Sequence, residues 1–142
     1  MNSMFYGCKS LKNINFNSFN TSNVLDMGYL FSGCQMLNQI NLSNFNTEKV
    51  IDMSNMFSGC IYLTELDLSK FNTQNVVDMS WMFYNCSKLN YLNLSNFNKN
   101  NILYYFTMFN GLRRNQNINI KTDNNSKIDG IVDYYFKKRI NK

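Results

Sequence analysis

Apolar and polar positions return to the same places along this chain every 26 residues. Phe5, Phe31, Phe57, Phe83 and Phe109 keep one column. Cys8, Cys34, Cys60 and Cys86 keep another, with Leu112 in the fifth place. Leu11, Leu37, Leu63 and Leu89 form a third, and Phe19, Phe45, Phe71 and Phe97 a fourth. A fixed period of this size is the mark of a repeat architecture. Two patterns alternate inside each unit. Leu66 and Leu68 sit between Glu65, Asp67 and Ser69, which predicts a short strand with one buried face. Val50, Met53, Met56, Phe57 and Cys60 are spaced i, i+3, i+6, i+7 and i+10, which predicts one stripe of a short helix. Asp52 is placed to cap or charge its first turn, and Asp26 and Asp78 match it. Gly7, Gly33, Gly59, Asn85 and Gly111 precede the cysteine place. Gly and Asn enter the left-handed region most readily and commonly end helices.

One unit cannot bury its apolar face alone, whereas stacked units bring equivalent side chains into buried columns. Adjacent strands would then lie ~4.8 Å apart. The pattern LxxLxLSxF resembles the leucine-rich-repeat signature, with Phe in the usual Asn or Cys place. FNTxxVxDMSxMFxxC extends it. Together they are similar to the 26-residue bacterial surface-protein repeat, related to the BspA-like leucine-rich repeats. Residues 37–62 and 63–88 carry the pattern almost in full, and the resemblance spans roughly residues 1–112. The expected fold is therefore α/β: a short right-handed leucine-rich-repeat solenoid of four to five coils, one short strand and one short helix per coil, with a degenerate C-terminal cap. Residues 1–112 are expected to form the repeats, starting in mid-repeat without an N-terminal cap. Residues 113–142 are expected to form the degenerate last repeat and a basic cap. Tyr104, Lys99 and Leu112 depart from the repeat's Asp, Thr and Cys, only Ile118–Asn119–Ile120 echoes the strand, and residues 131–140 read as the closing element. The resemblance implies a non-enzymatic protein, often surface-displayed, with adhesion or host-protein contact in some members. It carries no catalytic residue.

Composition narrows the chemistry. The chain has no histidine, which excludes Ser–His and Cys–His pairs and imidazole metal ligands. No cofactor is expected. No apolar run approaches the ~20 residues of a membrane span, and the N-terminus reads as repeat rather than as a signal peptide. Location is thus left open by the residues, while the resemblance points to the cell surface or a secreted form. The net charge of +5 comes wholly from residues 113–142. Lys137, Lys138, Arg139 and Lys142 could meet nucleic acid or an acidic membrane, but a charged end is also an ordinary solvated terminus. The run lacks the stacking aromatics of a nucleic-acid module.

The four cysteines stand one per unit, without the CxxC-type pairing of a zinc site. They read as buried free thiols, with inter-unit disulfides as the alternative. Met27, Met53 and Met79 read as core. Asn20, Asn46, Asn72 and Asn98 read as residues that satisfy turn backbone. Outward strand positions make the candidate partner-binding face: Asn13, Asn15, Gln39, Asn41, Glu65, Asp67, Tyr91 and Asn93. Amides, one acidic pair and a tyrosine suit a protein or a glycan partner. Tyr29 and Trp81 share a position off the apolar stripe and either offer a second contact or simply cover the convex side. An uncovered first unit, with Met4, Phe5, Cys8, Leu11, Ile14 and Phe16, makes end-to-end self-association or fraying a further expectation. An inert or decayed fragment of a larger surface protein is the remaining alternative.

Overall fold

The computed structural model describes residues 1–98, 101–112, 118–123 and 128–136. Lys99 and the basic run Lys137, Lys138, Arg139 and Lys142 lie outside the described residues. Among the described residues, regular structure consists of three strands and one helix. Strand β1 is Glu65–Asp67, β2 Tyr91–Asn93 and β3 Asn119–Lys121; the helix α1 is Asp129–Phe136. The strands form one parallel sheet in the order β1-β2-β3.

This overturns the expected α/β leucine-rich-repeat solenoid of four to five strand-plus-helix coils. The segments read as helices, such as residues 53–60, are chains of turns, and the first two units contribute no strand. The reason lies in where the amides point. The N–H groups of Met27, Tyr29, Phe31 and Gly33 donate to the carbonyls of Asp52, Ser54, Met56 and Ser58, one unit ahead, at 2.7–2.9 Å. The amides between them stay local: Leu30 donates to Met27, Ser32 to Tyr29 and Cys34 to Phe31. The same alternation recurs from Met53 to Cys60 and from Met79 to Cys86. An α-helix needs every interior amide for its own i−4 carbonyl, so a segment that sends every second amide to its neighbour cannot be one. The backbone agrees. Tyr29, Asn55 and Trp81 have φ of 56°, 57° and 63°, and four residues later Gly33, Gly59 and Asn85 have φ of 76°, 74° and 56°. Two left-handed residues per turn run break right-handed helical geometry.

The 3.6-residue reading of the apolar stripe therefore marks burial, not helix. Met27, Met53 and Met79 are fully buried, as are Phe31, Phe57 and Phe83. Phe5, Phe31, Phe57, Phe83 and Phe109 stack face to face, with centroid separations of 5.5, 5.6, 6.1 and 5.7 Å. Isolated parallel bridges tie Asp26 to Asp52, Asp52 to Asp78 and Asp78 to Tyr104. Each of these pairs is 26 residues apart, and so are the paired residues of β1 and β2. The β2–β3 register differs: Tyr91 pairs with Asn119 and Asn93 with Lys121. Two extra residues thus enter between Leu112, which keeps the 26-residue place, and β3.

The polar FNT turn has its own ladder. Thr21, Thr47 and Thr73 are buried. Each hydroxyl donates to the carbonyl of the Asn one unit on and accepts that residue's amide. Asn20, Asn46 and Asn72 accept, through Oδ1, the amide two residues ahead at 3.0 Å.

Helix α1 lies over the last unit. Tyr135 and Phe136 meet Phe109 edge-on at 5.4 and 5.5 Å, and Ile128 and Ile131 are buried beside them. Phe5, at the other end of the column, is only partly buried, while Met4 and Tyr6 are exposed.

Candidate functional site

The candidate face lies along the edge where the strands run. Glu65 pairs with Tyr91 and Asp67 with Asn93 in the parallel register, which places each pair side by side. Asn13, Gln39, Asn41, Glu65, Asp67 and Tyr91 line one open groove of about 530 Å³, together with Ile14 and Ile40. Two of the eight expected residues, Asn15 and Asn93, are not among its lining. Only Glu65, Asp67, Tyr91 and Asn93 stand on strands; the other four occupy irregular chain.

The face divides into two columns with different chemistry. Asn15, Asn41, Asp67 and Asn93 each use Oδ1 to accept an amide two residues ahead, from Asn17, Ser43, Ser69 and Ser95, at 2.8–3.2 Å. Such bonds replace a backbone turn, so these side chains shape the strand exit. Asn93 goes furthest into that role. It is buried, and its Oδ1 also takes the Ser95 hydroxyl at 2.6 Å. The exposed contact position expected for Asn93 is thus a buried turn position instead, which the alternation alone does not distinguish from its neighbours.

Asn13, Gln39, Glu65 and Tyr91 form the other column. Among the described residues their side chains make no hydrogen bond, and the first three are exposed while Tyr91 is half-buried. These are the groups free to meet a ligand.

Asp67 links the columns electrostatically. Partial burial pushes its carboxyl up, but the Ser69 hydroxyl and amide, the Asn93 side chain and the nearby Lys121 charge outweigh that and hold its pKa below the usual carboxylate value. Lys121 reaches this face through β3, and the charge pattern of the sequence did not single it out.

Elsewhere the chemistry is structural. Cys34, Cys60 and Cys86 are buried free thiols whose Sγ–H groups point at the carbonyls of Phe5, Phe31 and Phe57 at 3.1, 3.2 and 3.1 Å. Burial, with Cys8 beside it, pushes the Cys34 thiol up to about 11; burial pushes Cys86 up to about 12, and Cys60 is raised further still. Cys8 is exposed. Thiols held neutral in this way are poor nucleophiles. Among the described residues, no group of three or more Cys, Asp or Glu side chains is arranged to hold a metal ion, and no helix is long and apolar enough to cross a membrane.

Tyr29 and Trp81 are both exposed, at 41% each. Tyr29 meets Tyr6 at 6.1 Å, and Trp81 meets Tyr84 at 5.0 Å. Asn55 lies between them in the column. A larger apolar patch, unnoticed in the sequence, joins Leu103, Tyr105 and Phe106 to Tyr134 and Tyr135 of α1. Its signal was there to read: in the last unit Tyr104–Tyr105–Phe106 replaces the Asp–Met–Ser of residues 52–54 and 78–80.

Comparison with curated proteins finds no match, and comparison with solved structures finds none. A family model described as "Mycoplasma protein of unknown function, DUF285" matches residues 1–123. That span holds every repeat unit and the three strands, and the chain belongs to this repeat-containing family.

Proposed function

We propose that the protein is a non-enzymatic interaction module that binds its partner along the face carrying Asn13, Gln39, Glu65 and Tyr91. The observation that carries this reading is the groove itself. Residues as far apart in sequence as Asn13 and Tyr91 line one surface of about 530 Å³, and their free polar groups face outward while the neighbouring column is occupied in turns. The resemblance to the bacterial surface-protein repeat, with its BspA-like relatives, supports an adhesive role at a cell surface. The lack of histidine and the neutral, buried thiols fit an absence of catalysis.

The test is solid-phase binding of the full chain to arrayed purified extracellular proteins and purified glycans. A Gln39→Arg/Glu65→Arg variant is expected to lose the binding that the parent shows. A Tyr29→Ser/Trp81→Ser variant is expected to keep it. The reverse pattern would place the contact on the turn side and overturn the reading.

A further inference from the structure

We propose that the ligand of this face is an extended, β-1,4-linked glycan, with successive sugars meeting successive 26-residue units. The inference rests on the interaction-face reading and names its partner class. Four observations carry it.

The first is periodicity. The free groups recur once per unit, at Asn13, Gln39, Glu65 and Tyr91, and parallel neighbours such as Glu65 and Tyr91 are ~4.8 Å apart in a sheet. A surface that repeats at this interval suits a ligand that repeats at a similar one. Equatorially linked sugars form a straight ribbon whose advance per residue is close to the strand spacing. A peptide in extended form advances less per residue, and an α-linked glycan coils out of step.

The second is the hydrogen-bonding inventory. An amide offers two N–H donors and a carbonyl acceptor on one planar group, which matches neighbouring hydroxyls. Asn13 and Gln39 supply two such groups unengaged, Asn41 adds its N–H donors, and the carboxylates of Glu65 and Asp67 accept from paired hydroxyls. Tyr91 closes the row with an aromatic ring. The third is what the face lacks. Protein hot spots centre on Trp, Tyr and Arg, and this groove has one Tyr and neither of the others. The Glu65–Asp67 pair opposes a polyanion such as nucleic acid. The fourth is rigidity. Asn41 and Asp67 are held by their bonds to the Ser43 and Ser69 amides at 3.0 and 2.8 Å, so that part of the surface is ordered before a ligand arrives, which reduces the entropic cost of binding.

The experiment is calorimetric titration of the full chain with β-1,4-linked glucose and N-acetylglucosamine oligomers from dimer to hexamer, with α-1,4-linked maltohexaose as the out-of-step comparison. Affinity is expected to rise at least tenfold from dimer to tetramer and then level off, with maltohexaose far weaker. Gln39→Ala and Glu65→Ala are each expected to weaken tetramer binding by about tenfold, near the loss of one or two hydrogen bonds. Gln74→Ala, on the exposed turn, is expected to leave it unchanged, and unchanged urea midpoints show that the variants fold. Absence of saturable binding by both β-linked series overturns the inference, as does affinity independent of length or indifference to Gln39→Ala and Glu65→Ala. If arrayed proteins bind through the face while no oligomer does, the glycan inference falls and the interaction face stands. If the Gln39→Arg/Glu65→Arg variant keeps every interaction of the parent, both fall.

Discussion

The Thr47 hydroxyl does for Asn72 what a peptide group would do. It donates to the Asn72 carbonyl at 3.0 Å and accepts the Asn72 amide at 2.8 Å. Thr21 and Thr73 hold Asn46 and Asn98 in the same way. At this corner one buried side chain completes the inter-unit ladder where the main chain cannot. Thr47→Val keeps the shape and strands a donor and an acceptor away from water, so a loss of roughly 1–3 kcal/mol is expected in urea unfolding. Thr47→Ser keeps the hydroxyl and should cost about 1 kcal/mol for its methyl. Equal losses for the two variants would refute the bridging role.

Phe57 sits fully buried between the rings of Phe31 and Phe83. Phe57→Ala opens a cavity inside the column and is expected to destabilise by roughly 3–5 kcal/mol. The denaturation midpoint measures it, and an unchanged midpoint would mean that the column does not hold the units together.

Gly111 and Gly59 occupy equivalent places with unequal room. A Cβ on Gly111 would lie 2.9 Å from the Asn85 backbone at φ +83°, whereas one on Gly59 would meet Gly33 at 3.6 Å. Gly111→Ala is expected to cost more than Gly59→Asn, because Asn85 already shows that Asn fits the left-handed backbone here. The left-handed placement by itself costs ~1 kcal/mol for a residue with a Cβ. Thermal unfolding of the pair ranks them, and a larger shift for Gly59→Asn would contradict the packing.

The buried thiols make stability fall in alkali. The folded pKa values of Cys34 and Cys86, about 11 and 12, lie above the ordinary 9.0. The unfolded chain therefore loses these protons first, and unfolding gains from rising pH. Stability is fully present below about pH 8.5 and declines above it, by up to about 1.4 kcal/mol per pH unit for each thiol, until the folded thiols ionise. Urea midpoints at pH 8 and pH 10 should differ accordingly, with a shallower dependence in Cys86→Val. In the native state only Cys8 should react quickly with a thiol reagent.

Tyr135 of α1 packs edge-on against Phe109, 5.4 Å between ring centroids. Burial raises its phenol pKa, partly offset by the nearby Thr107 and Met108 backbone. Its hydroxyl donates to the Tyr105 carbonyl at 3.5 Å, which also accepts the Met108 amide at 3.3 Å. Tyr135→Phe keeps the ring on Phe109 and removes that donor. Faster hydrogen exchange at Met108, with little change at Phe83, is the expected signature; unchanged exchange would show that the hydroxyl does not hold the Tyr105 carbonyl in place.

Which residues share a column is legible from the period alone. Phe31, Phe57 and Phe83 had to face the same environment because side chains at one period obey one burial rule, and the turn-forming Asn and Gly places follow from backbone preferences local to a few residues. The period also puts Asn13, Gln39, Glu65 and Tyr91 in one row. The conformation between those points is set by contacts between units. The stripe from Val50 to Cys60 satisfies a helix on burial alone, yet hydrogen bonds from Met53, Asn55, Phe57 and Gly59 to the unit ahead take the amides a helix would need. That competition depends on a partner 25 residues away, which no local pattern encodes. The same holds for Asn93: its alternation matches Asn41, and only the packing of β2 between β1 and β3 buries it.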